Sequence, residues 1–168
     1  EGTADVTVPG WAELAAFNAA GAYRARLGLL GQAVRDAGGK TAAVGPGAAL
    51  AAADTAGRLD AYAAAPSRLP DWTAYRLIVV AADQLAAAWP HGGPGRGGTP
   101  GDLDAAARRR AVAAADALVA EVLARVPAGA TILVAGVSDT TAAAHLHVAV
   151  ATGPGPEGGT AYRPGLLT

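Results

Sequence analysis

Asp139, His145 and His147 are residues of the kind that hold a transition metal, and they fall within one short stretch, "TILVAGVSDTTAAAHLHVAV". Two histidines two positions apart on a strand point to the same side of a sheet, so His145 and His147 can share one ion. With Asp139 they make a nitrogen and oxygen donor set suited to zinc or manganese. The other reading is a sheet edge that carries half-buried histidines and binds nothing. A second pair, Asp83 and His91, brackets the start of a glycine-rich loop, where a metal or a phosphate could be held. The plainer reading of Asp83, and the one preferred, is an N-cap on the helix "QLAAAW", which needs a short acceptor side chain at that position.

Other candidates are weaker. "VGPGAAL" has glycines that let a backbone approach an anion at the start of a helix. Pro46 removes a donor, though, Leu50 stands where the dinucleotide fingerprint has a small residue, and the Walker lysine is absent, so an ordinary strand-to-helix turn is the plainer reading. Ser138 lies outside a G-x-S-x-G elbow, which argues against a serine nucleophile there. Arg108, Arg109 and Arg110 are consecutive and point around a helix, as a solvated face does.

These residues need elements to position them. Pro9 suits a helix first turn, and Trp11, Leu14, Phe17 and Asn18 follow at helical spacing. A second helix is predicted from about Leu27 to Ala37, with Leu30 and Val34 on one face and Gly38-Gly39 as its stop. "KTAAVGPG" reads as a short strand ending in a glycine turn, and "AALAAAD" as a helix start. Residues 55–72 read as a connection with room for a short strand. "YRLIVVAAD" is the strongest strand, a continuous apolar run of the sort that parallel sheets bury on both faces. A loop follows at 91–101. Thr99-Pro100-Gly101-Asp102 then opens a helix running to about Val126, with Val112, Ala115, Val119, Val122 and Val126 on one stripe. "ATILVAGV" reads as a buried strand, "HLHVAVA" as another, and residues 153–168 as a Gly/Pro-rich tail.

Strands alternating with helices predict an α/β fold, a mainly parallel sheet with helices on both faces, over a single domain or part of one spanning 1–168. In such sheets ligands bind at the carboxyl ends of the strands, and those ends are Gly45-Pro46-Gly47, Asp83 and Ser138-Asp139. The 168 residues carry a net charge of −1, which offers no general attraction to nucleic acid. There is no cysteine, so disulfides, thiol catalysis and Cys-ligated zinc are excluded. Arg, Asp, Gly and Pro break every apolar run short of the roughly 18 residues of a membrane span. The chain begins at Glu1 without a methionine, so it is expected to be a piece of a longer protein.

"AVGPGAALA", "LIVVAADQL", "ADALVAEVLARVPAGATILVAGVSD", "HLHVAVATGPG" and "RPGLLT" together resemble an uncharacterised family of membrane-anchored proteins of high-GC bacteria. In that family an extracytoplasmic α/β domain similar to the alkaline phosphatase superfamily precedes a transmembrane region. The resemblance implies an alkaline-phosphatase-like core outside the cytoplasm, anchored to a membrane through regions beyond this chain. Active superfamily members use two metal ions and a Ser or Thr nucleophile on a phosphate or sulfate ester. Their sheet offers an Asp with a His shortly after at one strand end, and an Asp-His pair at another.

Asp83 matches the first position, with His91 farther along than usual. Asp139 matches the second, and Thr140 stands where the histidine would be. The nucleophile strand is expected before Glu1 and the last metal histidine after Thr168. The resemblance thus implies a degenerate metal site, with Asp83, His91, Asp139, His145 and His147 as its candidate residues. It implies a binding or interaction module whose partner is a protein or a small anionic ligand. An active metal-dependent phosphoesterase or sulfoesterase, with His145 or His147 replacing the missing ligand, is the alternative, and a nucleotide-binding domain using "VGPGAAL" a third.

Overall fold

The computed structural model describes residues 6–21, 25–88, 105–137 and 149–154. In chain order the elements are β1 (Val6–Thr7), α1 (Trp11–Ala20), α2 (Leu29–Asp36), β2 (Thr41–Val44), α3 (Ala48–Ala52), β3 (Arg58–Leu59), β4 (Ala61–Ala63), a 3-10 turn at Pro66–Arg68, β5 (Leu77–Val80), α4 (Gln84–Ala87), α5 (Ala105–Leu123), β6 (Ile132–Ala135) and β7 (Ala149–Thr152).

β2 is the centre. It pairs in parallel with β4 on one side and β5 on the other, setting Ala42 beside Ala61 and Ile78, and Val44 beside Ala63 and Val80. Side chains alternate between the two faces of a strand, so the sheet has two cores. On one face Ala42, Val44, Ala63, Ile78 and Val80 meet Leu69 and Trp72, with Val122 at the end of α5 and Val126 just past it laid over them. On the other, Ala43, Val79 and Ala81 meet Leu59 and the inner face of α3, Ala48 and Ala52. Alanines on both sides of that second contact let the short helix sit close to the sheet. This is the α/β layering that the alternating pattern predicts, with helices on both faces.

The sheet is smaller than predicted. Two antiparallel pairs stand outside it, β1 with β3 and β6 with β7. β6 is not the buried strand its apolar run suggests: among the described residues it pairs only with β7, apart from the parallel sheet, and Leu133 is 68% exposed. β5 is half-buried along its length rather than enclosed, because no strand lies beyond it among the described residues.

The helices differ in detail for local reasons. Pro9 precedes α1, whose N-cap is Gly10 at φ 71°, and only Trp11 of the predicted stripe is buried while Phe17 stands 80% exposed. In α2 the contact is made by Gly31, not Leu30. A Cβ there would come 2.2 Å from the Ala53 carbonyl oxygen, so the helix backbone itself rests on the end of α3. The α5 stripe is rotated at its start, burying Ala111 and exposing Val112. The stretch 55–72 contains two short strands and a 3-10 turn where one short strand was predicted.

Candidate functional site

The carboxyl ends of β2 and β5 lie side by side. After β2 the chain turns through Gly45, at φ 87°, Pro46 and Gly47 into α3. After β5 it runs through Ala81 and Ala82 to Asp83. A Cβ at Gly45 would stand 3.3 Å from that of Ala81, and one at Gly47 3.8 Å from it, so the glycine turn rests against the chain just before Asp83.

Asp83 occupies the N-cap of α4 but its side chain makes no capping hydrogen bond. Its backbone, at φ −92° and ψ 6°, is outside the extended region that N-cap residues adopt, so the carboxylate is not directed at the first N–H groups of the helix. The capping predicted for it is therefore replaced by an exposed carboxylate at a strand end. Next to it, Gln84 Oε1 is sealed from solvent and accepts no hydrogen bond among the described residues.

His91, Asp139, His145 and His147 lie outside the described residues, as do Ser138 and Thr140. Asp83 is the one candidate ligand among them, and no three His, Cys, Asp or Glu side chains gather among the described residues to hold a metal ion. Arg108, Arg109 and Arg110 are all exposed, as a solvated face requires. The glycine turn after β2 has little to offer an anion. Gly45 N–H donates to the Ala63 carbonyl, Ala48 N–H donates to that of Gly45, and Pro46 has no N–H to give. A phosphate cradle needs such donors free and convergent.

The most concentrated polar cluster lies at the opposite, amino end of β2, and the sequence reading did not single it out. Asp54, 1% exposed, accepts hydrogen bonds from the backbone N–H groups of Ala56 and Arg58 and from Arg58 Nε. Arg35 Nε of α2 comes within 3.1 Å of its Oδ2. Asp60 Oδ2 accepts from the Thr41 N–H, and Asp60 N–H donates back to the Thr41 carbonyl. Burial works to raise the Asp54 carboxyl. The backbone hydrogen bonds from Arg58 and Ala56, then the Arg58 guanidinium, outweigh it and hold the group below the usual carboxylate range.

The cluster's signal in the sequence was "DTAGRLD". An acid two residues before a small one and three before a glycine marks a side chain folded onto its own turn. Its place away from the carboxyl ends of the strands makes it a fastener for α2, α3 and β3. Comparison with protein-family models, with curated proteins and with solved structures finds no match to the chain. Among the described residues no helix is long and apolar enough to cross a membrane.

Proposed function

We propose that this chain is a binding or interaction module, built on an alkaline-phosphatase-like α/β domain whose metal site is degenerate, and held outside the cytoplasm beside a membrane. The observation that carries it is Asp83, exposed at the carboxyl end of β5 with no side-chain partner among the described residues, followed in the chain by Gln84, whose buried Oε1 accepts no hydrogen bond among them. A buried acceptor without a partner is costly, so a hydrogen-bond donor brought by a ligand would be received favourably there. In an open parallel sheet, strand ends of this kind are where ligands are received.

The degenerate character rests on the sequence. Thr140 follows Asp139 where the resemblance places a histidine, and a two-metal centre short of one ligand binds metal more weakly. The partner would be a protein surface, or a small ligand that brings a cation or hydrogen-bond donors to Asp83.

Equilibrium dialysis of the chain against Zn²⁺ and Mn²⁺, beside an assay with a chromogenic phosphate ester and a sulfate ester, tests this. The expected result is weak or substoichiometric metal and no turnover. Two tightly bound metals per chain, with ester hydrolysis abolished by Asp139→Ala, would establish the phosphoesterase reading instead.

A further inference from the structure

Among the described residues β5 is the last strand of the parallel sheet on its side. The central strand is almost wholly covered, with Ala42 and Ala43 at 0% and Val44 at 2% exposure, while every residue of β5 is half-buried. Arg76 and Leu77 both donate their N–H groups to the Lys40 carbonyl, where the ladder begins, and Ala81 donates to that of Val44. By the alternation of a strand, Leu77, Val79 and Ala81 turn their peptide groups toward β2, and Ile78 and Val80 turn theirs outward. No strand meets those outward groups among the described residues.

Two of the features that usually discourage pairing are missing from this edge. Leu77–Val80 holds no proline and no charge. Charges sit at its two ends instead, Arg76 before it and Asp83 beyond it. Both are exposed, and neither is in an ion pair among the described residues.

We propose that a second copy of this chain docks on this edge, β5 against β5, antiparallel about a two-fold axis. Regular antiparallel pairing matches outward-facing residues with outward-facing residues. Ile78 then exchanges N–H and C=O with Val80 of the second copy, the symmetry repeats the exchange, and Val79 meets its own counterpart. The antiparallel sense also brings the Arg76 end of each β5 to the Asp83 end of the other, and the contact is repeated by the symmetry. Opposite charges meet twice. A parallel arrangement would set like beside like, which cross-strand pairs disfavour. The isologous contact joins the two parallel sheets into one.

Analytical ultracentrifugation of the whole chain over a range of concentrations, in low salt with a chelator so that metal at Asp83 plays no part, tests the proposal. The expected result is a concentration-dependent dimer. Arg76→Asp and Asp83→Arg should each weaken it by about tenfold, and the double reversal should restore it. Circular dichroism checks that the variants fold, and should one fail, the wild-type dimer must still weaken as salt rises. A monomer at every concentration overturns the proposal, whether Ile78 and Val80 amides exchange fast, as at a bare edge, or slowly, as under the chain's own β6. A dimer indifferent to both reversals and to salt overturns it as well.

Discussion

Arg35 Nε stands 3.1 Å from Asp54 Oδ2, and this contact ties α2 to the turn between α3 and β3. The carboxylate is 1% exposed, whereas the Arg35 side chain is 29% exposed and that of Arg58, the second cation on the same oxygen, 47%. The negative charge is thus the desolvated member, and its partners stay partly in water. Ion pairing alone would contribute little in such an arrangement. The backbone N–H groups of Ala56 and Arg58 satisfy Oδ1 and make the burial tolerable.

Asp54→Asn keeps the side chain's shape and an oxygen for those two N–H groups but removes the charge that both arginines face. The expected cost is about 1–3 kcal/mol of unfolding free energy, below the full loss for a buried pair because the arginines retain water. Urea denaturation followed by far-ultraviolet circular dichroism measures it. A variant as stable as the parent would show that the carboxylate charge is dispensable to the fastening and that the backbone hydrogen bonds to Oδ1 suffice.

The same group sets an acid limb. Asp54 is held below the usual carboxylate range in the folded chain, so the unfolded chain binds its proton first as pH falls. The stability it provides is present in full above the unfolded value of about 3.9 and is lost as pH drops through the lower folded value. Unfolding free energy should therefore decline below about pH 4, and Asp54→Asn should flatten that decline. Denaturation midpoints across the acid range report both. Equal slopes in the two proteins would assign the acid limb to other carboxylates.

Much of this architecture was legible in the sequence, and the parts that were not have physical reasons. "KTAAV" and "RLIVV" announced β2 and β5 because uninterrupted β-branched or small apolar runs suit parallel pairing, and Gly38 announced the end of α2 with its φ of 73°. Periodicity failed for α1, because alanine supplies an apolar pattern on every side and hides which face is covered. It failed again at Gly31, where the contact is made by backbone and no side chain signals it. β6 misled for a further reason: an apolar strand declares that it seeks cover, not where it finds it. Of the candidate site, the place of Asp83 at a strand end was legible. Gln84 and Asp54 were not, since orphaned and satisfied polar groups look alike until their neighbours are known.

Gln84 provides a test that separates function from stability. Its Oε1 is buried and accepts nothing among the described residues, so Gln84→Leu removes an uncompensated acceptor from the folded chain. The variant should be more stable by about 1 kcal/mol, as the replacement of an unsatisfied buried group by an apolar one allows. If the acceptor serves ligand binding, the same variant should lose affinity for the ligand while its melting temperature rises. A fall in stability would mean that Gln84 already has a donor in solution, such as an ordered water, and would remove the support it lends to the binding reading.

Trp11 and Gly57 hold α1 to the rest of the chain. The indole Nε1 donates to the Thr55 carbonyl at 3.1 Å, and the ring lies so close to Gly57 that a Cβ there would be 2.5 Å from its Cγ. Gly57 also sits at φ 78°, a conformation that costs an L-residue about 1–2 kcal/mol before any collision. Leu14 and Phe17 are exposed, so Trp11 is the helix's one buried residue. Gly57→Ala should therefore displace the indole and release α1 while the parallel sheet persists. The expected signs are a red shift in tryptophan emission and faster proteolysis confined to residues 12–20. Gly38→Ala, with a similar φ of 73° and nothing within 4 Å of its Cβ, is the matched control that carries the backbone strain without the collision. It should lose stability without freeing α1, and equal proteolysis of the two variants would show that strain, not the seat of the indole, governs the helix.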